Sequence, residues 1–185
     1  MESISVARIQ PAESNSSPIL GEAYDQITRT RGYVSNILMS LSNAPEGLKR
    51  FAAMGEYVRY MTEIPGRTRE LVILSVARGN EYAWLHHYPH AVKAGVSVEE
   101  LAALEANRMA PSLSAAETAA MSYAQAFAGG SVTDALYAEL ARHYSPRQVT
   151  DLTLMAGYFL ALGSTINAFR IDLEPAFVAK KSPAN

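Results

Sequence analysis

The sequence predicts an all-α protein of about eight helices with short connections. Three observations carry that reading. Alanine and leucine dominate the long segments, no alternating apolar–polar run is long enough for a convincing strand, and helix starts and stops recur at regular intervals.

Taken in order, the first 18 residues are polar and Ser-rich and read as an extended arm. Ser17 then caps a helix with Pro18 in its first turn, and Gly32 ends it. "GYVSN" is a turn leading into "ILMSLSNAP", and Pro45 opens a helix through "PEGLKRFAAMGEYVRYM". Asn36 in that turn, and Asn167 near the end of the chain, read as helix-end hydrogen bonders. A buried helix runs from Pro65 to Arg78 and breaks at Gly79-Asn80. "EYAWLHHYPHAVKAG" follows, with Glu81 as a first-turn acid, Gly95 past its end and Pro89 expected to kink it or start a new turn. Ser97 with Glu100, and Ser114 with Glu117, each have capping-box spacing. Thr133 starts the seventh helix, and "SPRQVTDLTLMAGYFLALGSTINAF" closes the fold. These elements predict an N-terminal arm over 1–18, a single domain over 19–175 and a tail over 176–185. "IPGRTRELVILSVA" and "SPRQVTDLTLMAGY" share a proline, an acid and an apolar run, setting Glu70 against Asp151 as a possible internal duplication.

Composition narrows the chemistry. Hydrophobic residues make up 49% and charged residues 18%, which is ordinary for a folded chain of 185 residues. A net charge of −2 with scattered Lys and Arg offers no stripe for a phosphate backbone, so nucleic acid is set aside. No signal-peptide pattern is read at the start and no apolar run is expected to span a membrane, which makes a cytoplasmic protein the expectation. There is no cysteine, which removes disulfides, thiolate–metal sites and thiol redox chemistry together.

The stretch "RGNEYAWLHHYPH" holds three of the four histidines and the one tryptophan. Just before it, Glu70 has Ile73, Leu74 and Ala77 on its own helical face. A carboxylate there is either paired, with Arg67 or with a partner from another helix, or held with a raised pKa as a general acid or base. His86 and His90, or His87 and His90, have spacings that suit two metal ligands, but no third-ligand pattern follows and no metal is expected. His87 near Glu70 would make an acid–base pair of usable pKa. Tyr82, Trp84 and Tyr88 read first as packing residues.

The run "RTRELVILSVARGNEYAWLHHYPHAVKAGVSVEELAAL" resembles the core of the carboxymuconolactone decarboxylase-like family, which includes the alkyl hydroperoxidase D proteins. The likeness extends from about Ile19 to Pro175. It implies the alkyl hydroperoxidase D-like helical fold, assembly as a homotrimer or homohexamer, and a pocket lined by the histidine helix with Glu70 facing it. It also implies that the peroxidase branch's two cysteines fall at Asn80 and Ala83, with His87 four residues on. That branch's relay glutamate falls at Glu70 and its relay histidine at Tyr82. With both cysteines absent, disulfide-exchange peroxidase activity is not inherited.

The resulting expectation is a cofactor-independent acid–base lyase, decarboxylase-like, acting on a small cyclic or aromatic carboxylate or lactone. Glu70, His87 and Tyr82 are its catalytic candidates, and Tyr33, Trp84, His86 and His90 its candidate substrate contacts. Arg67, Arg69 and Arg78 are candidates for holding a substrate carboxylate. A small-molecule-binding protein of the same fold without turnover is the alternative, and a thiol-free peroxidase-related protein a lesser one.

Overall fold

The computed structural model describes residues 7–181; residues 1–6 of the expected arm and 182–185 of the expected tail lie outside the described part. Every regular element among the described residues is helical. In chain order these are α1 (Pro18–Arg31), α2 (Asn36–Met39), α3 (Pro45–Glu56), a π-helical turn (Tyr57–Met61), α4 (Gly66–Val76) and α5 (Glu81–Lys93). They continue with α6 (Val98–Glu105), α7 (Ala115–Ala128), α8 (Asp134–His143), α9 (Pro146–Phe169) and α10 (Pro175–Lys181). The two helices beyond the expected eight are short: α2 is a single turn, and α10 falls in the stretch read as a tail.

The chain divides into two compact units, residues 1–57 with 164–185, and residues 58–163. In the first, α1 and α3 pack through Leu20, Ala23, Ile27, Leu48 and Ala52, with Leu38 of α2 added. Ser17 caps α1 as its spacing predicts, its side chain accepting from the Leu20 N–H. Asn36 serves a helix end: its N–H donates to Glu174 Oε1 and its side chain to the Asp172 carbonyl.

The second unit holds Glu70 and the histidines of α5. Its core gathers Leu71, Leu74, Ala91, Val96, Leu101, Leu104 and Met121, contributed by α4, α5, α6, α7 and the turn after α5. Each such side chain taken from water contributes about 1.5–3 kcal/mol for the larger ones. The turn between α4 and α5 is possible because Gly79 sits at φ 82°, a left-handed conformation that a side chain would strain. α5 then runs without interruption through Pro89, which starts no new turn.

Both capping boxes form, and their glutamates do a second job. Arg67 of α4 donates through Nε to Glu117 Oε1 (2.7 Å), through Nη2 to Glu100 Oε1 (2.6 Å) and through Nη1 to the Gly95 carbonyl. One guanidinium therefore ties α4 to the N-terminal turns of α6 and α7, and holds the Glu100 carboxyl down to about 2.

α9, with 24 residues, is long and apolar enough to cross a membrane by length and composition, against the expectation that no run would be. This is weak evidence for a span, since a core helix passes the same test, and here Asp151, Leu152, Met155, Ala156 and Phe159 are all buried.

Candidate active site

Glu70 is forced inward by its helix. Leu71, Val72, Ile73 and Leu74 are all fully buried, so α4 has no wet face in this turn, and Glu70 itself is 3% exposed. A carboxylate there needs partners. Of the two pairings open from the sequence, the one with Arg67 does not form, because Arg67 is committed to Glu100 and Glu117, and the partner comes from another helix. Instead Glu70 Oε2 lies 2.9 Å from His87 Nδ1 on α5, and Oε1 accepts from Arg69 Nε at 3.4 Å. Phe159 of α9 meets the His87 ring edge-on, with centroids 5.0 Å apart.

The protonation state follows from these neighbours. Burial pushes the Glu70 carboxyl upward, but the His87 hydrogen bond and the charges of His87, Arg69 and Arg59 outweigh it, leaving the carboxyl below its ordinary range. A raised value is therefore not what this environment produces. His87 is pushed down to about 4, first by burial, with Arg59 and His90 adding to that and Glu70 opposing it. At neutral pH the pair is a carboxylate beside a neutral imidazole. A carboxylate can only accept, so the imidazole proton sits on Nδ1, and Nε2 keeps its lone pair.

The remaining candidates scatter around this pair. His90 is exposed, with its ring 6.1 Å from that of His87, and its pKa is lowered first by partial burial and then by Arg59. Tyr82 is buried and stacks on His86 at 4.4 Å. Five positions separate Tyr82 from His87, which turns it about 140° away around the helix. Trp84 and Tyr88 pack against the core of the second unit. Tyr33 belongs to the first unit and is 46% exposed. Arg78 is exposed in the turn after α4. Among the described residues, no group of three or more His, Asp or Glu side chains gathers to hold a metal.

Two residues of the site were not singled out from sequence. Phe159 lies in an apolar run where one aromatic looks like any other. Arg59 sits in "YVRYM", where the helix leaves α geometry for a π-helical turn that shifts which side chains share a face. Its charge is felt by Glu70, His87 and His90 alike.

Glu70, His87 and Arg59 lie within a stretch with a counterpart among known proteins, whereas Phe159 lies beyond it. The model of the carboxymuconolactone decarboxylase family matches residues 45–126. The matched segment holds Glu70, His87 and all the α5 candidates. No curated protein matches the chain in sequence. Among solved structures, the chain is similar to the debrominase Bmp8, in a cysteine-to-alanine variant bound to 2,3,4-tribromopyrrole. That match has TM-score 0.77 and 17% identity and covers 97% of each chain. It is also similar to a peroxidase-related protein from Ralstonia eutropha JMP134 described as an alkylhydroperoxidase AhpD core. There the TM-score is 0.78 at 15% identity, over 98% of this chain and 100% of that one. A peroxidase-related protein from Silicibacter sp. TM1040 matches at TM-score 0.75 and 16% identity, over 96% of each. The fold is thus that of the alkyl hydroperoxidase D-like proteins.

Where the peroxidase branch of the family is expected to carry cysteines, Asn80 and Ala83 are joined by a different bond. The Ala83 N–H donates to Asn80 Oδ1 at 3.0 Å, capping α5, while Asn80 Nδ2 donates to the Gly163 carbonyl at 3.2 Å.

Proposed function

We propose that this protein is a cofactor-independent acid–base lyase that removes CO2 from a small cyclic or aromatic carboxylate or lactone acid. The observation that carries the reading is the buried Glu70–His87 pair, 2.9 Å apart, with the imidazole neutral and its Nε2 lone pair unspent on Glu70. In the proposed step the carbon–carboxylate bond breaks and CO2 leaves. The electron pair passes into the conjugated carbonyl, and the resulting enolate carbon takes a proton from the His87 imidazolium. Glu70 stabilises that imidazolium through the Nδ1 hydrogen bond. The balance consumes one solvent proton per turnover. With a pKa of about 4, only roughly one His87 in a thousand carries that proton at pH 7 in the empty protein. A substrate carboxylate beside the ring would favour the charged form and load it. Arg59, whose charge already acts on both members of the pair, is the cation best situated to attract such a substrate.

The tribromopyrrole held by the Bmp8 variant supports a small substituted ring as the size class of ligand that this fold admits. Thiol-dependent chemistry has no counterpart here, since the sequence has no cysteine. Tyr82, as a hydrogen-bond donor to the substrate, and Tyr33, Trp84, His86 and His90, as substrate contacts, remain part of the proposal, as do a homotrimeric or homohexameric assembly and a cytoplasmic location. The assembly is read from the mass by light scattering.

A panel of lactone and aromatic carboxylates in D2O, followed by mass spectrometry, tests the reading. The wild type should release CO2 and place one deuterium in the product. His87→Asn should lose at least about a hundredfold in rate, the usual scale of a general acid. Turnover undiminished in His87→Asn would sink the proposal. Binding without turnover would favour the non-enzymatic alternative.

A further inference from the structure

The proposed reaction needs a solvent proton at a ring that solvent does not reach. His87 is 7% exposed, with Nδ1 held by Glu70 and Phe159 against the ring edge. The titratable and charged groups that act on it are Glu70, Arg59 and His90. Glu70 is itself buried, and a guanidinium does not release its proton near neutrality. His90 alone among them is both exposed and able to gain and lose a proton on an imidazole, with burial and the charge of Arg59 holding its pKa below the ordinary value.

Its position fits the task. It follows His87 by three residues on α5, so the two rings lie on one strip of the helix, with centroids 6.1 Å apart and planes tilted by 54°. That separation is within reach of a single bridging water. The charged and titratable groups facing His90 are Arg59, Glu70, His86 and Lys93. Three of those carry or can carry positive charge, so His90 passes on a proton more readily than it retains one.

We propose that His90 is the port through which His87 exchanges protons with solvent, a positioning role for proton traffic that goes beyond its proposed place as a substrate contact. The idea rests on His87 being the proton carrier, but it is tested without any substrate. In protein with 15N-labelled histidine, the rate at which the His87 imidazole gains and loses its second proton is measured by 15N relaxation dispersion near its midpoint of about 4, in wild type, His90→Gln and His143→Gln. Exchange should slow on the order of tenfold in His90→Gln, stay unchanged in His143→Gln on α8, and recover in proportion to added 4-methylimidazole, an external proton carrier. Equal exchange in wild type and His90→Gln would overturn the proposal. So would a slowing that 4-methylimidazole fails to reverse, since it would mark a merely structural change. A failed substrate panel with a positive exchange result would refute the lyase and leave the port standing.

Discussion

Replacing His87 with Asn isolates the energetic signature of a buried neutral imidazole. Asn retains an N–H donor in the position of Nδ1 but does not titrate. In the wild type the ring has a pKa of about 4 when folded, against 6.5 as its ordinary value. Between those values the unfolded chain binds a proton that the folded protein refuses. Stability contributed above pH 6.5 is therefore lost as the pH falls through that window. Integrating from pH 7.5 to 4.5 gives a loss of about 2.5 kcal/mol, most of it below pH 6. The window stops at 4.5 because Glu70, with its carboxyl below the ordinary range, stays ionised in the folded protein down to there and begins to add its own loss below it. Urea unfolding of both proteins at fixed concentration across this range gives the comparison directly. The wild-type curve should fall relative to that of His87→Asn by about that 2.5 kcal/mol. Parallel curves would refute the assignment of a neutral, desolvated His87, and with it the tautomer on which the site's chemistry depends.

Three further outcomes follow from the same geometry. Arg67→Met should destabilise the protein by about 3–5 kcal/mol in urea unfolding, because the buried Glu100 is left charged without its partner, and Arg67→Lys should recover only part of that for want of a forked donor. Phe159→Leu should admit water beside the imidazole and move the His87 midpoint up from about 4 toward its ordinary 6.5 in an NMR titration; an unmoved midpoint would mean that Phe159 does not desolvate the ring. Asn80→Ala should cost about 1–2 kcal/mol through loss of the α5 cap, and Asn80→Asp should restore the cap while still lacking the bond to Gly163.

The helix ends were the most legible part of this sequence. Ser17, Ser97, Ser114 and Thr133 each cap the helix that their spacing predicts, because capping is decided within four residues of chain. At Pro89 the sequence allows a kink or a new turn; no new turn starts there, and α5 continues past it as one helix. Glu70 is visible as an acid inside an apolar run, and His87 as an acid–base partner for it, but the meeting of the two is not. Arg67 is the obvious local choice, and only the approach of α4 to α6 and α7 directs that guanidinium elsewhere. The meeting of Glu70 with His87 joins residues 17 apart on two helices, and neither pattern alone contains it. Arg59 left no signal at all, since the π-helical turn that presents it has no residue signature of its own here.

The link between Asn80 and Ala83 has a meaning for the setting in which the protein can work. Two cysteines at these positions would couple the start of α5 to the redox poise of their surroundings, with the joint opening under reductant and closing under oxidant. A carboxamide accepting an amide proton has no such dependence. The first turn of α5, and the register in which it delivers His87 toward Glu70, is fixed by a bond indifferent to electrons. Peroxide or dithiol at levels that would toggle a disulfide should leave this joint as it is, so the site's geometry is set once, at folding, and not by the chemical weather around it.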